Sequence, residues 1–446
     1  MTALVHKRSA PCAIEALEVF QVRPTCAQIE KAEYHPFYSI SSVDGQVLEF
    51  AYQGSGDIFV DLSRTVLTLQ CRVMDGTNTL RANVAVGPAP NPIASMFTQC
   101  DIFLNNKLVT SSNNLYPYRA FVETTNSSSY EAVTHQLDLQ AFWPDEPGQH
   151  EQADPAKNKA FGARRDICPQ SKLFEIAGPL YTDITNQPCA LVSNVDIRIR
   201  LTRSPDAFAL MAFDSVATAS LAAFDAGNCK IEIKEALLEL WLMQLKPEPQ
   251  LAIERTLLRQ NAVYNLLRTE LKSFTIPAGS TTFTREHISL GLTPKVAYVF
   301  MVETQAQQGS RTKNPFNFKH FNLGKISLNI DGQENPVNGI RCNFSTANPM
   351  YTKAYKSMLD VTGKWRSDDI YMFSYREYAM GNTVFGFQIA PELVPGAFNL
   401  VRNSNIRLDM KFDKTTTDNI TVIVMFVYDA TLEIDANREI YHDMST

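Results

Sequence analysis

No run of 18 consecutive apolar residues occurs in the chain, so no segment suffices to cross a bilayer as a helix. The charged N-terminus, Met1 to Arg8, is not followed by an apolar stretch, so no signal peptide is expected. Cys-x-x-Cys pairs are absent. The eight cysteines (Cys12, Cys26, Cys71, Cys100, Cys168, Cys189, Cys229, Cys342) are scattered, as suits free thiols in a reducing compartment rather than a disulfide scaffold. Without secretion, the sequons at Asn126, Asn343 and Asn419 read as chance matches. Excess positive charge is also lacking: the net charge is −6 and the pI about 5.7, which does not favour nucleic acid. The short basic clusters His6-Lys7-Arg8 and Arg164-Arg165 read as solvated surface charge. An N-terminal arm needs few charges when many copies are arrayed, so a nucleic-acid role for the first cluster stays open. Helical patterning is sparse, with Gln250 to Arg259, after the Pro247-Glu248-Pro249 break, the best candidate.

What the chain does contain, it contains nearly twice. Phe174-Glu175-Ile176-Ala177 returns, half a chain later, as Phe387-Gln388-Ile389-Ala390. Leu191-Val192-Ser193-Asn194-Val195-Asp196-Ile197-Arg198 returns in the same order as Leu400-Val401-Arg402-Asn403-Ser404-Asn405-Ile406-Arg407, at nearly the same offset. A fainter echo pairs Tyr116-Pro117-Tyr118-Arg119-Ala120-Phe121 with Tyr351-Thr352-Lys353-Ala354-Tyr355. A period of this length makes each copy a whole domain rather than a solenoid unit.

Period-two alternation dominates both copies. Leu67, Leu69, Cys71 and Val73 share one face; so do Ile197, Ile199 and Leu201, and Ile406, Leu408, Met410 and Phe412. Ile420 to Tyr428 is apolar on both faces, as expected of a covered central strand. Its first-copy counterpart is Ile231 to Met243, where Lys234-Glu235 shifts the phase and predicts a bulge. Turns are expected at Gly54-Ser55-Gly56-Asp57, Asn105-Asn106, Asp331-Gly332 and Thr362-Gly363. Many short strands with loop-rich spacers predict an all-β chain of sandwiches or jelly rolls. Three stretches read as long irregular loops: residues 125–170, 303–320, and 203–229, which carries Phe208, Phe213 and Phe224.

Enzyme chemistry leaves few marks. Phosphate-cradling glycine loops and a Gly-x-Ser-x-Gly elbow are missing. The seven histidines (His6, His35, His135, His150, His287, His320, His442) form neither His-x-His nor His-Glu-x-x-His, which counts against a metal-binding bicupin. Arg285-Glu286-His287 cannot converge, because neighbours on a strand point to opposite faces. Asp145-Glu146 and Asp368-Asp369 read as solvated carboxylates in loops. No catalytic, metal or cofactor residue is assigned.

Several blocks in order resemble one family. They are Ala16 to Phe20 with Pro24-Thr25, Tyr34-His35-Pro36, Leu48-Glu49-Phe50 with Gly54 to Asp57 and Asp61-Leu62, and Asp101-Ile102-Phe103-Leu104-Asn105 leading into Leu115 to Ala120. The second half adds Phe274-Thr275-Ile276-Pro277, Phe283 to His287, Lys313 to Phe318, and Phe398-Asn399-Leu400-Val401. Together they resemble the double jelly-roll major capsid proteins of Polinton/Maverick elements and adintoviruses, over roughly residues 15–435. The loops 125–170 and 203–229 have no match in that likeness.

The resemblance implies two tandem eight-stranded jelly rolls and a homotrimeric capsomer of pseudo-sixfold outline. It further implies an icosahedral shell, a separate single jelly-roll penton protein, and location in the virion capsid after synthesis in the host cytosol. The expected organisation is an N-terminal arm (1–45), a first jelly roll (46–246), a linker (247–262), a second jelly roll (263–436) and a C-terminal tail (437–446). Phe208, Phe213 and Phe224 are the candidate trimer contact, and the arm would tie capsomers together. Phe174, Ile176, Asn194, Ile197 and Arg198, with Phe387, Ile389, Asn403, Ile406 and Arg407, form the duplicated structural motif. A tandem β-sandwich that binds glycan or protein, with Tyr116-Pro117-Tyr118 as an aromatic platform, is the alternative; a two-domain hydrolase is the third.

Overall fold

In the computed structural model, which describes residues 26–111, 113–213, 226–390 and 398–442, the alternating segments are strands. The first half supplies β1 (Ile29–Tyr38), β2 (Val47–Tyr52), β3 (Ile58–Asp75), β4 (Phe97–Leu104), β5 (Lys107–Leu108), β6 (Phe174–Pro179), β7 (Ile197–Arg203) and β8 (Cys229–Leu245). The second supplies β9 (Ala262–Ile276), β10 (Thr282–Leu292), β11 (Val296–Glu303), β12 (Leu323–Ile330), β13 (Gln333–Arg341), β14 (Val384–Gln388), β15 (Asn403–Phe412) and β16 (Ile420–Ile434).

Every pairing within the four main layers is antiparallel. In the first half β1-β8-β3-β6 faces β2-β7-β4-β5; in the second β9-β16-β11-β14 faces β10-β15-β12-β13. Adding eight to each label in the first pair of orders gives the second pair. Each half is a jelly roll, two sheets closed over one core, and the duplication in sequence is a duplication of topology. The alternating apolar residues line these cores: Leu67, Leu69, Cys71 and Val73, and likewise Ile406, Leu408, Met410 and Phe412, are buried. Ile420 and Val422 to Phe426 are buried without alternation, as a strand covered on both faces requires. The bulge falls where the phase shifts, since Ile233 pairs with Cys71 and Glu235 with Gln70, leaving Lys234 as the extra residue.

Some boundaries differ from the sequence reading. Ile29 to Tyr38, assigned there to the arm, pair with β8, and Ile440 to His442, assigned to the tail, pair with the end of β16. The linker is helix α3 (Pro247–Leu257). It starts at the Pro-Glu-Pro that reads as a break in the sequence, because proline suits the first helical turn, where its missing N–H would have no partner. Residues 125–170 are not one irregular loop. They include the end of α1 (Tyr116–Ser127) and the whole of α2 (Lys159–Asp166). The faint tyrosine echo marks two equivalent helices, α1 and α4 (Thr352–Val361), each lying between the hairpin β4-β5 or β12-β13 and the next strand.

Candidate assembly interface

The duplicated motif falls at matching places in the strand order of the two halves. Phe174 and Ile176 on β6, and Phe387 on β14, point into the cores; Ile389 lies just past β14, half-buried. Ile197 and Ile406 are buried, while Arg198 and Arg407 lie on the outer sheet face. There Arg198 reaches Glu49 at 3.3 Å and Arg407 reaches Asp409 at 2.9 Å. Asn194 adopts a left-handed backbone (φ 60°), and Asn403 opens β15. Backbone approach is close here, because a Cβ on Gly54 would sit 2.6 Å from the Val195 nitrogen. The match extends to single hydrogen bonds. The Asp196 amide donates to Asn105 Oδ1 (2.8 Å) and the Asn105 amide to Asp196 O (2.9 Å). In the second half the Asn405 amide donates to Asp331 Oδ1 (2.8 Å) and the Asp331 amide to Asn405 O (3.1 Å).

The two jelly rolls are fused across a seam with an aromatic centre. Tyr118 and Phe121 of α1 meet Phe300 of β11 and Phe316 and Phe318 of the following loop, Phe121 stacking on Phe316 at 4.6 Å. Phe208 joins this cluster, edge-on to Tyr118 and Phe316. Phe213 packs on Phe161 at 5.5 Å. Both Phe208 and Phe213 are 7% exposed, so most of their surface is covered within the chain itself. Phe224 lies outside the described residues. Tyr116 and Tyr118 are buried as well, so the exposed aromatic platform of the binding-module alternative does not form.

Beside the rings runs a buried polar network. Arg164, expected on the surface, is fully buried. It donates to Asp145 Oδ1 (2.6 Å), Pro88 O (3.0 Å) and Trp143 O (2.8 Å). Asp145, expected to be solvated, also accepts from Asn158 (2.8 Å) and, across the seam, from Asn314 (2.6 Å). Its carboxylate is thus met by one cation and two amide donors, which is the condition for burying it. A second tie runs from Arg119, which pairs with Glu123 and Asp183 (2.8 Å each), while Asp183 accepts the Thr269 amide of β9 at 3.0 Å. Burial raises the Glu123 carboxyl above its usual range, against the opposing pull of Arg119. Nearby, Lys313 and Lys319 of the second half bridge Glu151 of the first and Glu303 of their own.

Arg285 lies over Phe274, Glu286 faces Arg407 at 3.4 Å, and His287 pairs with Asn405 at 2.8 Å, so each of the three is engaged by a different neighbour. Asp368 and Asp369 are exposed. Among the described residues no group of three or more His, Cys, Asp or Glu gathers at metal-binding distance, and no helix is long and apolar enough to cross a membrane. The described cysteines are free thiols. A cleft of about 720 Å³ under α3, lined by Cys189, Val192, Leu257, Tyr264 and Glu433 among others, offers one carboxylate and no histidine.

Solved structures place this architecture. The chain superposes on a Sputnik virophage chain with a TM-score of 0.66 at 14% identity, covering 98% of this chain and 93% of that one. The fold is the double jelly roll. The mavirus major capsid protein shares it (TM-score 0.55, 10% identity, 99% and 97% coverage), as does the faustovirus major capsid protein (0.54, 9%, 95% and 93%). No family model matches the sequence. An uncharacterized Caenorhabditis elegans protein, F54H12.2, is 20% identical over 407 residues, spanning 87% of this double jelly roll and 91% of its own length.

Proposed function

We propose that this chain is a major capsid protein whose function is self-assembly, without catalysis. Two like domains per chain, taken three times, offer six near-equivalent lateral faces, so a homotrimer would have a pseudo-hexagonal outline suited to tiling an icosahedral shell. A single jelly-roll penton protein would fill the vertices, and the assembled chain would reside in the virion capsid after synthesis in the host cytosol. The observation that carries the reading is the identical strand order of two jelly rolls locked into one body by a buried polar and aromatic seam. The likeness to viral major capsid proteins over nearly the whole chain supports it. A similar chain of comparable length encoded by an animal fits the Polinton or adintovirus type, a capsid gene carried in a host genome.

Light scattering on the purified protein tests this first. The expected result is a homogeneous species of three times the 50.0 kDa chain mass, with shells by electron microscopy at higher concentration. A monomer of 50.0 kDa that persists across concentrations overturns the proposal. Trimming the residues before β1 should spare the trimer and block shell formation.

A further inference from the structure

Within one chain the two jelly rolls meet edge to face. The edge is β9, whose outward backbone is met by side chains of the first jelly roll. The Thr269 amide donates to Asp183 Oδ1 (3.0 Å), Ser111 Oγ donates to Thr269 O (3.1 Å), and Asn113 Nδ2 donates to Leu271 O (3.4 Å). The face includes the segment before β7. Its Val192 amide donates to the Tyr264 hydroxyl of β9 (3.0 Å), and Leu191 and Val192 are 0% and 7% exposed.

The duplication gives each element a twin, and among the described residues nothing covers either twin. The twin of β9 is β1, first strand of its jelly roll and paired on one side only, to β8. None of its ten residues is buried, and Tyr34 and Tyr38 are 46% and 62% exposed. The twins of Leu191 and Val192 are Leu400 and Val401, at 79% and 84% exposed, with Phe398 beside them at 51%. The same dipeptide is thus covered in the first half and bare in the second. A long unpaired edge and an apolar patch are both features that proteins ordinarily cover.

We propose that β1 of one copy docks on the Phe398–Val401 face of a second copy, repeating between chains the interface that joins the two jelly rolls within one. The proposal rests on the capsid reading and supplies its lateral contact. Among the described residues each chain offers this edge once and this face once, so the contact is head-to-tail and propagates until the ring closes. The occupant is another copy of this chain because the edge shown to fit such a face is that of its own jelly roll.

Three full-length proteins test it by light scattering: wild type, the face variant Leu400→Asp/Val401→Asp, and the edge variant Tyr38→Asp. All three positions are exposed, so each variant should fold as wild type does, with the same far-UV circular dichroism, and lose only the stabilisation that association gives. With wild type a trimer, each variant alone should fall to the 50.0 kDa monomer. Mixed in equal amounts, they should give a two-chain species, since the intact edge of one still fits the intact face of the other. Val192→Asp, by contrast, should lower the melting temperature, since its partner lies in the same chain. A face variant that stays trimeric overturns this contact and leaves the capsid reading standing. A monomeric wild type overturns both. Variants that dissociate but form no two-chain species when mixed overturn the head-to-tail pairing.

Discussion

Asp145 and Arg164 show how a charge comes to be buried. Neither can leave water alone, but together with Asn158, Asn314 and two backbone carbonyls they form a closed set of hydrogen bonds. Removing one partner strands the other, at a cost of about 3–5 kcal/mol. Arg164→Ala should therefore lower stability by that amount in a denaturant titration, and Asp145→Ala should do the same. The sequence could not reveal this pair. Its members are 19 residues apart and Asn314 is 169 residues from Asp145, and a charged residue in a polar stretch looks the same whether a distant segment folds over it or not. His320 gives a pH-dependent prediction. Burial lowers its pKa from 6.5 to about 4, while the ring stacks on Phe344 and Nδ1 accepts the Asn322 amide. As pH falls through 6.5 toward 4, the unfolded chain takes up a proton that the folded ring refuses. Stability is complete above that window and drops within it by about 1.4 kcal/mol per pH unit. His150, also buried and lowered, adds to the loss with the same sign. Melting curves of His320→Gln across this range should show a shallower slope than wild type.

Among the elements, strands were legible and most helices were not, for a physical reason; α3, foreseen at Gln250 to Arg259, is the exception. A strand with one wet face writes its alternation directly into the sequence, and the bulge at Lys234 shows as a break in that alternation. Deleting Lys234 restores strict alternation between Ile233 and Ala236, so the fold should survive. Deleting Leu237 would turn Leu238, Leu240 and Leu242 away from the core and should abolish folding. Circular dichroism melts of the two deletions decide the point. Helix α1 hid because it packs on most sides: Tyr116 to Val122 are all buried, so no polar face marks the turn. The tyrosine echo, with Pro117 in the first turn, was the one available signal. Phe208 hid its surroundings for the same reason, since an aromatic in a long loop looks the same in sequence whether the loop folds inward or not.

Across the whole molecule the seam makes two domains one body. Phe121→Ala should cost about 3–5 kcal/mol, as truncation of a buried phenylalanine does, and should lower the melting temperature of the entire chain in a single transition. Two separate transitions would mean that the halves unfold independently. The same seam imposes an order on synthesis. Phe121 leaves the ribosome long before Phe316, the ring it stacks on. At about 5–20 residues per second that face waits roughly 10–40 s, bare and apolar, for its partner. A nascent first half is therefore a sticky species in a crowded cell, exposed to premature pairing with the half-made chains of neighbouring ribosomes. Chaperone capture during translation, and failure when the gene is cut into two separately expressed halves, follow from where one phenylalanine sits.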